Sequence, residues 1–262
     1  MRDEVVDIAD LANPTPDIAQ PHAASGDDPV LSWLIFTGAT LLAFVLLWFY
    51  GLAQKALTSD PTHITAAIGL IYIAASLHCL WRSLAISREA AAGRSLAQAI
   101  AGFEPVALAA GHPRNAGLVA AHIRNLTMKS ALTGEGRRFD QTILLRVLAE
   151  RLSGSNSFGA FAGDLSMKLG LFGTIVGFIM MLAPLTGLST DDPAAVKSSV
   201  GLMSEGMAVA MYTTLAGLVG SILIKIQYQF VESATSRLFT SAVALTEVYV
   251  IPTLERRMSP AQ

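Results

Sequence analysis

Residues Asp164 to Ile226 read DLSMKLGLFGTIVGFIMMLAPLTGLSTDDPAAVKSSVGLMSEGMAVAMYTTLAGLVGSILIKI. Two uncharged segments dominate the stretch, Leu169 to Thr190 and Gly206 to Ile224, each long enough to cross a bilayer as a helix. A short acidic turn joins them. At 100° per residue, Gly170, Gly173, Thr174, Gly177, Met181 and Pro184 share one face of the first segment, opposite Phe172, Ile175, Val176 and Ile179. In the second, Gly206, Ala210, Thr213, Thr214, Gly217 and Ser221 share a face, opposite Tyr212, Leu215, Val219 and Ile222. Lipid supplies little hydrophobic drive between helices. A small, hydroxyl-bearing face therefore marks close packing against protein, or the lining of a polar path.

Neither segment contains an Asp, Glu, Lys, Arg or His; Asp164 and Glu205 stand at their ends. A proton or cation crossing a membrane needs an ionisable group or a ring of ligands partway. Threonine hydroxyls orient water or a carboxylate but do not titrate. If ions pass here, the titrating carboxylate comes from another chain. The competing reading is local: a threonine in a membrane helix often bonds the carbonyl four residues back, here Gly170 for Thr174 and Ala210 for Thr214, and does nothing more.

At these residues the chain resembles the MotA/TolQ/ExbB family of pentamer-forming subunits from ion-driven inner-membrane motors. The resemblance is carried by Gly170-Leu-Phe-Gly-Thr174-Ile-Val-Gly177 and by Gly206-Met-Ala-Val-Ala-Met-Tyr-Thr-Thr214-Leu-Ala-Gly217-Leu, in the family's order and spacing. It implies a homopentamer around two copies of a single-span MotB/TolR/ExbD-like partner bearing a membrane aspartate. Thr174 and Thr214 would face that aspartate, with Thr213 and Ser221 on the same ion pathway. Gly170, Gly173, Gly177, Met181, Pro184, Gly206, Ala210 and Gly217 would form the packing and pore face. The ion would be H+ or Na+, with no cofactor and no metal. TolQ and ExbB carry a Glu in the last helix where this chain has Val209, and they have three spans. The expectation is therefore a MotA-like motor outside the standard flagellar role. The flagellar stator itself is one alternative, and a non-conducting membrane scaffold or assembly protein another.

Composition agrees with a membrane protein. Of 262 residues, 52% are hydrophobic and 15% charged, against nearly a quarter charged in typical soluble domains, and the mean hydropathy is +0.50. The net charge of -2 carries no nucleic-acid signal. The one cysteine, Cys79, lies in an apolar run and excludes an internal disulfide.

Residues 1–29 form an acidic tail, with Asp3, Glu4, Asp7, Asp10, Asp17, Asp27 and Asp28 against the single Arg2. A solvated, disordered tail is the plain expectation; a short amphipathic helix over Val5 to Leu11, docking on a partner or on the chain's own cytoplasmic domain, is the other. Val30 to Leu52 is apolar, with Trp33, Trp48 and Tyr50 near its ends as interfacial aromatics. Ile64 to Trp81 gives a second span. His78 lies within it and is expected to bond a neighbour or reach the headgroups.

Residues 82–163 are rich in arginine, whereas the two short connections hold only Lys55 and Lys197. The positive-inside rule makes this region cytoplasmic, and four spans then make both termini cytoplasmic too. Those arginines are read as setting topology and pairing with headgroups rather than as a rotor contact. Helical spacing appears over Ser95 to Gly102, Asn115 to Leu132 and Phe139 to Leu152. Breaks are expected at Pro105, at Gly111-His112-Pro113 and at Gly134-Glu135-Gly136, with a hinge at Ser153 to Ser157. Beyond Ile224 the helical pattern runs on to Val250 and is expected to end at Pro252.

The predicted fold is all-α: a polytopic membrane protein with four transmembrane helices, a helical cytoplasmic domain between helices 2 and 3, and a long C-terminal helix. The expected boundaries are 1–29 tail, 30–81 first two spans, 82–163 cytoplasmic domain, 164–226 channel core and 227–262 C-terminal helix. No enzyme constellation appears: His22, His63, His78, His112 and His122 make no metal-ligand spacing, and there is no Walker lysine or nucleophile elbow. Besides the protein partner, the surroundings expected are membrane lipid in a bacterial inner membrane.

Overall fold

A computed structural model describes residues 29–101, 117–132, 141–154, 156–187 and 193–258. Among them every regular element is helical: α1 (Pro29–Phe49), α2 (Leu52–Thr58), α3 (Ile64–Ala101), α4 (Leu118–Leu132), α5 (Thr142–Ser153), α6 (Asn156–Leu182), a 3-10 turn (Ala183–Gly187), α7 (Pro193–Leu245), a π turn (Thr246–Val250) and α8 (Ile251–Met258). Four of these, α1, α3, α6 and α7, are long and apolar enough to cross a membrane. The acidic tail, the expected breaks at Pro105, Gly111 to Pro113 and Gly134 to Gly136, and the Asp191-Asp192 turn lie outside the described residues.

The helices run further than the apolar segments. The second span was expected to end at Trp81, yet α3 continues to Ala101. Residues 82–101 are rich in alanine, contain no proline, and favour helix once it is nucleated. For the same reason α6 starts at Asn156 and α7 at Pro193, a proline suited to a first turn.

At the other end the expected stop at Pro252 is not observed. Pro252 is the second residue of α8, which follows the π turn without a break, so a carbonyl of the preceding turn lacks the N–H that proline does not have. The conflict between its ring and the carbonyl of the preceding turn coincides with the π turn at Thr246–Val250. The helix widens where the sequence pattern predicted an end.

Two compact units divide these residues, one of 29–88 with 149–236, the other of 89–148 with 237–258. In the first, the start of α3 is fixed by a buried Asp60. Its Oδ1 accepts the Thr62 N–H at 3.0 Å and its Oδ2 the Thr65 N–H at 2.7 Å. Burial alone raises the Asp60 carboxyl, but the Thr62 hydroxyl bond together with these backbone bonds holds it below its ordinary value. Of the expected hinge at Ser153 to Ser157, Ser155 lies outside the described residues. Gly154 takes φ +41, and a Cβ there would stand 2.8 Å from the Arg82 guanidinium, which donates to the Leu152 carbonyl at the end of α5.

The second unit is built on Leu96 and Ile100 of α3, Val119, Ile123 and Leu126 of α4, and Val250 and Leu254, all buried. Glu89 caps α4, its Oε2 accepting the Leu118 N–H at 2.8 Å. Gln141, at the start of α5, donates to the Glu247 carboxylate in the π turn. His122 is 4% exposed and its Nε2 has no hydrogen-bond partner among the described residues. Burial pushes its pKa down.

Candidate functional site

Helices α6 and α7 pack through the two small faces seen in the sequence, and they run antiparallel. A Cβ on Gly177 would stand 2.6 Å from the Ala210 nitrogen and 2.7 Å from the Gly206 carbonyl; one on Gly206 would stand 2.5 Å from the Met181 nitrogen. Further along, Gly173 faces Thr213, and Gly170 meets Gly217. The contact continues beyond the predicted segment. Gly217 also abuts the Ser166 carbonyl, Gly163 lies under Lys225 and the Ser221 carbonyl, and Gly159 lies under the Tyr228 ring.

The spacing explains the fit. Gly159, Gly163, Ser166, Gly170, Gly173 and Gly177 alternate in steps of four and three, the heptad rhythm that keeps one seam facing its partner. Gly206, Ala210, Thr213 and Gly217 answer in the same rhythm. Small side chains at every seam position let the two backbones approach closely. The sequence reading stopped at Gly170; following the four-three rhythm backwards would have added Ser166, Gly163 and Gly159.

The polar side chains divide accordingly. Thr213 is buried inside the seam, and its hydroxyl donates to the Val209 carbonyl at 2.8 Å. Thr214 is half-buried at the edge; its hydroxyl donates to the Ala210 carbonyl at 2.9 Å and lies 3.3 Å from the Gly170 carbonyl across the seam. Thr174, also half-buried, donates to Leu171 three residues back, at 2.5 Å, not to Gly170. Ser221 is buried, Ala210 packs on Gly177, Met181 presents its backbone to Gly206, and Pro184 sits half-buried in the 3-10 turn. Near one end, Asp164 and Lys225 pair at 3.1 Å across the helices. Away from the seam, Phe172, Ile175 and Ile179 of α6 and Met211, Leu215 and Ile222 of α7 are exposed.

A second polar group in the same unit was not anticipated. Gln227 is fully buried, and its Nε2 donates to Tyr72 at 3.2 Å, Ser76 at 3.3 Å and Thr37 at 3.5 Å. It thereby ties α7 to α1 and α3. The adjacent Tyr228 hydroxyl meets His78 Nδ1 at 2.6 Å, and His78 also lies against Phe158, ring centroids 4.8 Å apart. His78 thus bonds a neighbour, the first of the two fates expected for it. Gln227 lies three residues beyond the uncharged segment, and nothing in the helical pattern separates it from a surface glutamine.

Among the described residues, no group of three or more His, Cys, Asp and Glu side chains is placed to hold a metal ion. What the site offers is a closely packed antiparallel helix pair, apolar outside, with two threonines at the edges of its seam.

Residues 116–242 match the model of the MotA/TolQ/ExbB proton channel family. The match covers α4, α5, α6 and α7 as far as Ala242, and so includes the whole glycine seam. Members of the MotA/TolQ/ExbB family work with single-span MotB/ExbD-like partners, as channel scaffolds rather than enzymes. Neither a curated protein nor a solved structure matches the chain.

Proposed function

We propose that the chain is the ion-channel scaffold subunit of a rotary motor in a bacterial inner membrane, with residues 164–226 as its channel core. The observation that carries this reading is a deficit. The seam of α6 and α7 is lined by glycine, alanine, serine and threonine, and the segments Leu169 to Thr190 and Gly206 to Ile224 hold no Asp, Glu, Lys, Arg or His. The group that takes up and releases the ion is then an aspartate on a single-span partner, two copies of it within five of this chain. Thr174 and Thr214, half-buried at the seam edges, are the hydroxyls within reach of such a visitor. Ion binding neutralises the aspartate and lets the ring step around the partner. Protons are the preferred ion, with sodium the alternative.

In this reading α1 and α3 carry the lipid-facing surface, which agrees with the exposure of Leu41, Leu42, Phe44 and Leu70. Residues 82–163 and 227–262 then lie in the cytoplasm, with both termini, because the arginines concentrate there. The test has two arms. Reconstituted alone in vesicles, the protein should dissipate neither a pH gradient nor a membrane potential; substantial flux from the lone subunit rejects the two-chain mechanism. Tagged and purified from its native membrane, it should carry a single-span protein with a membrane aspartate, five chains to two.

One observation favours a second reading. The seam is closed within a single chain, and the Thr174, Thr213 and Thr214 hydroxyls all donate to backbone carbonyls. A non-conducting scaffold would look the same. It would purify without such a partner.

A further inference from the structure

Among the described residues, helix α4 leaves one side uncovered. Met128 and Leu132, one turn apart, are 68% and 87% exposed, although the opposite side of the helix is buried through Val119, Ile123 and Leu126. The same uncovered side carries Arg124, and no residue of α4 is acidic. It is an apolar strip edged by positive charge, on a helix that is not one of the candidate membrane spans. Exposed apolar strips of this kind mark a place where something sits.

The chain contains a complement. The stretch Asp3-Glu4-Val5-Val6-Asp7-Ile8-Ala9-Asp10-Leu11 sets Val5, Ile8 and Leu11 at helical spacing among four acids, and residues 1–28 carry seven acids against one arginine. Membrane topology places the two together. The candidate spans α1 and α3 separate this stretch from α4 in sequence, and two crossings return the chain to the side on which it began. That holds whichever side is the cytoplasm, so the argument needs the two spans and not the motor.

We propose that Val5 to Leu11 docks on the Arg124, Met128 and Leu132 face of α4 in its own chain. Apolar side chains of the segment cover Met128 and Leu132, while Asp7 and its acidic neighbours meet the basic edge, the pattern by which amphipathic segments seat on helical grooves. The segment covers a surface of the domain that any partner approaching α4 would have to contact, so its release would expose that surface.

The test uses the full-length chain in nanodiscs of zwitterionic lipid, with Ile8→Cys paired with Met128→Cys; the natural Cys79 is buried. Mild oxidation should give an intrachain disulfide. Arg124→Glu should lower its yield about tenfold, the scale expected when an exposed attraction becomes a repulsion. Adding Asp7→Lys to that variant should restore the yield. Asp7→Lys alone should lower it equally, without touching the fold of α4. Cross-linking between chains would assign the face to a second copy and overturn the proposal. Loss of the disulfide when anionic lipid replaces zwitterionic lipid would assign the face to the membrane. No disulfide, or a yield indifferent to the charge exchange, would also overturn it.

Discussion

Gly170 and Gly217 meet backbone to backbone: a Cβ on Gly170 would stand 3.0 Å from the Gly217 Cα, and one on Gly217 would stand 2.7 Å from the Gly170 Cα. The neighbours are main chain, which cannot rotate aside as a long side chain can. The helix pair has to separate to admit a methyl group.

Gly177→Ala, Gly206→Ala and Gly217→Ala should therefore each destabilise the membrane unit by about 1–3 kcal/mol, the cost of overpacking a filled interior. A Cβ on Gly38, Gly69 or Gly201 would have nothing within 4 Å among the described residues. Alanine at those positions should stabilise by about 0.5–1 kcal/mol, since glycine weakens a helix interior. Thermal unfolding of the purified protein in detergent separates the two sets. Equal behaviour would mean that the seam is not what holds α6 to α7.

The three threonines should part company in the same assay. Thr213→Leu adds bulk inside the seam and should destabilise by about 1–3 kcal/mol. Thr174→Val and Thr214→Val keep the shape at half-buried edges and should change stability by about 1 kcal/mol or less. If the proposed function holds, the two valine variants still assemble but lose ion-driven work. Unchanged output would leave both hydroxyls with only their backbone bonds.

Gln227 gives a prediction that does not depend on ion flow. Gln227→Ala empties a fully buried position and strips hydrogen bonds from Tyr72, Ser76 and Thr37. It should cost about 2–4 kcal/mol. Tyr228→Phe removes the bond to His78 and the longer one to the Ala75 carbonyl, and should cost about 1 kcal/mol. The double variant with His78→Phe should be less than additive for Tyr228 and His78, which a double-mutant cycle measures.

His122 makes the second unit sensitive to acid. Its folded pKa lies below the ordinary 6.5 because burial penalises the imidazolium, so the unfolded chain binds a proton first. Stability is then full above the unfolded value and falls as pH drops from 6.5 toward the folded value. Thermal unfolding between pH 7.5 and about 5 should show a declining midpoint. His122→Asn should flatten that decline while lowering the midpoint at neutral pH. Asp60 acts in the same sense at lower pH: its carboxyl is held below 3.8, and its contribution is full above that value and lost as pH falls from it toward the folded value.

Much of this was legible in one dimension. The charge-free lengths of α1, α3, α6 and α7 follow from the absence of water in a bilayer, which forces each span to satisfy its own backbone. The small faces of Gly170 to Gly177 and Gly206 to Gly217 follow from helical geometry applied to residue size. Helix ends were less legible. Residues 82–101 continue α3 although the apolar run stops at Trp81, and Pro252 lies in a helix that continues past a π turn where a stop was expected.

Taken alone, the sequence determined which helices are long and apolar enough to cross a membrane, which of their faces are small, and that those faces carry no Asp, Glu, Lys, Arg or His. These are properties of single helices, set by residue size, charge and a period of 3.6. Tertiary structure decided that the small faces close on each other within one chain, that Thr213 is enclosed while Thr174 and Thr214 stay at the edges, and that Gln227 is a tie between three helices and not a surface residue. Each of those depends on the register between α6, α7 and their neighbours. Register is fixed by how side chains from separate helices fill shared space, which no single helix encodes.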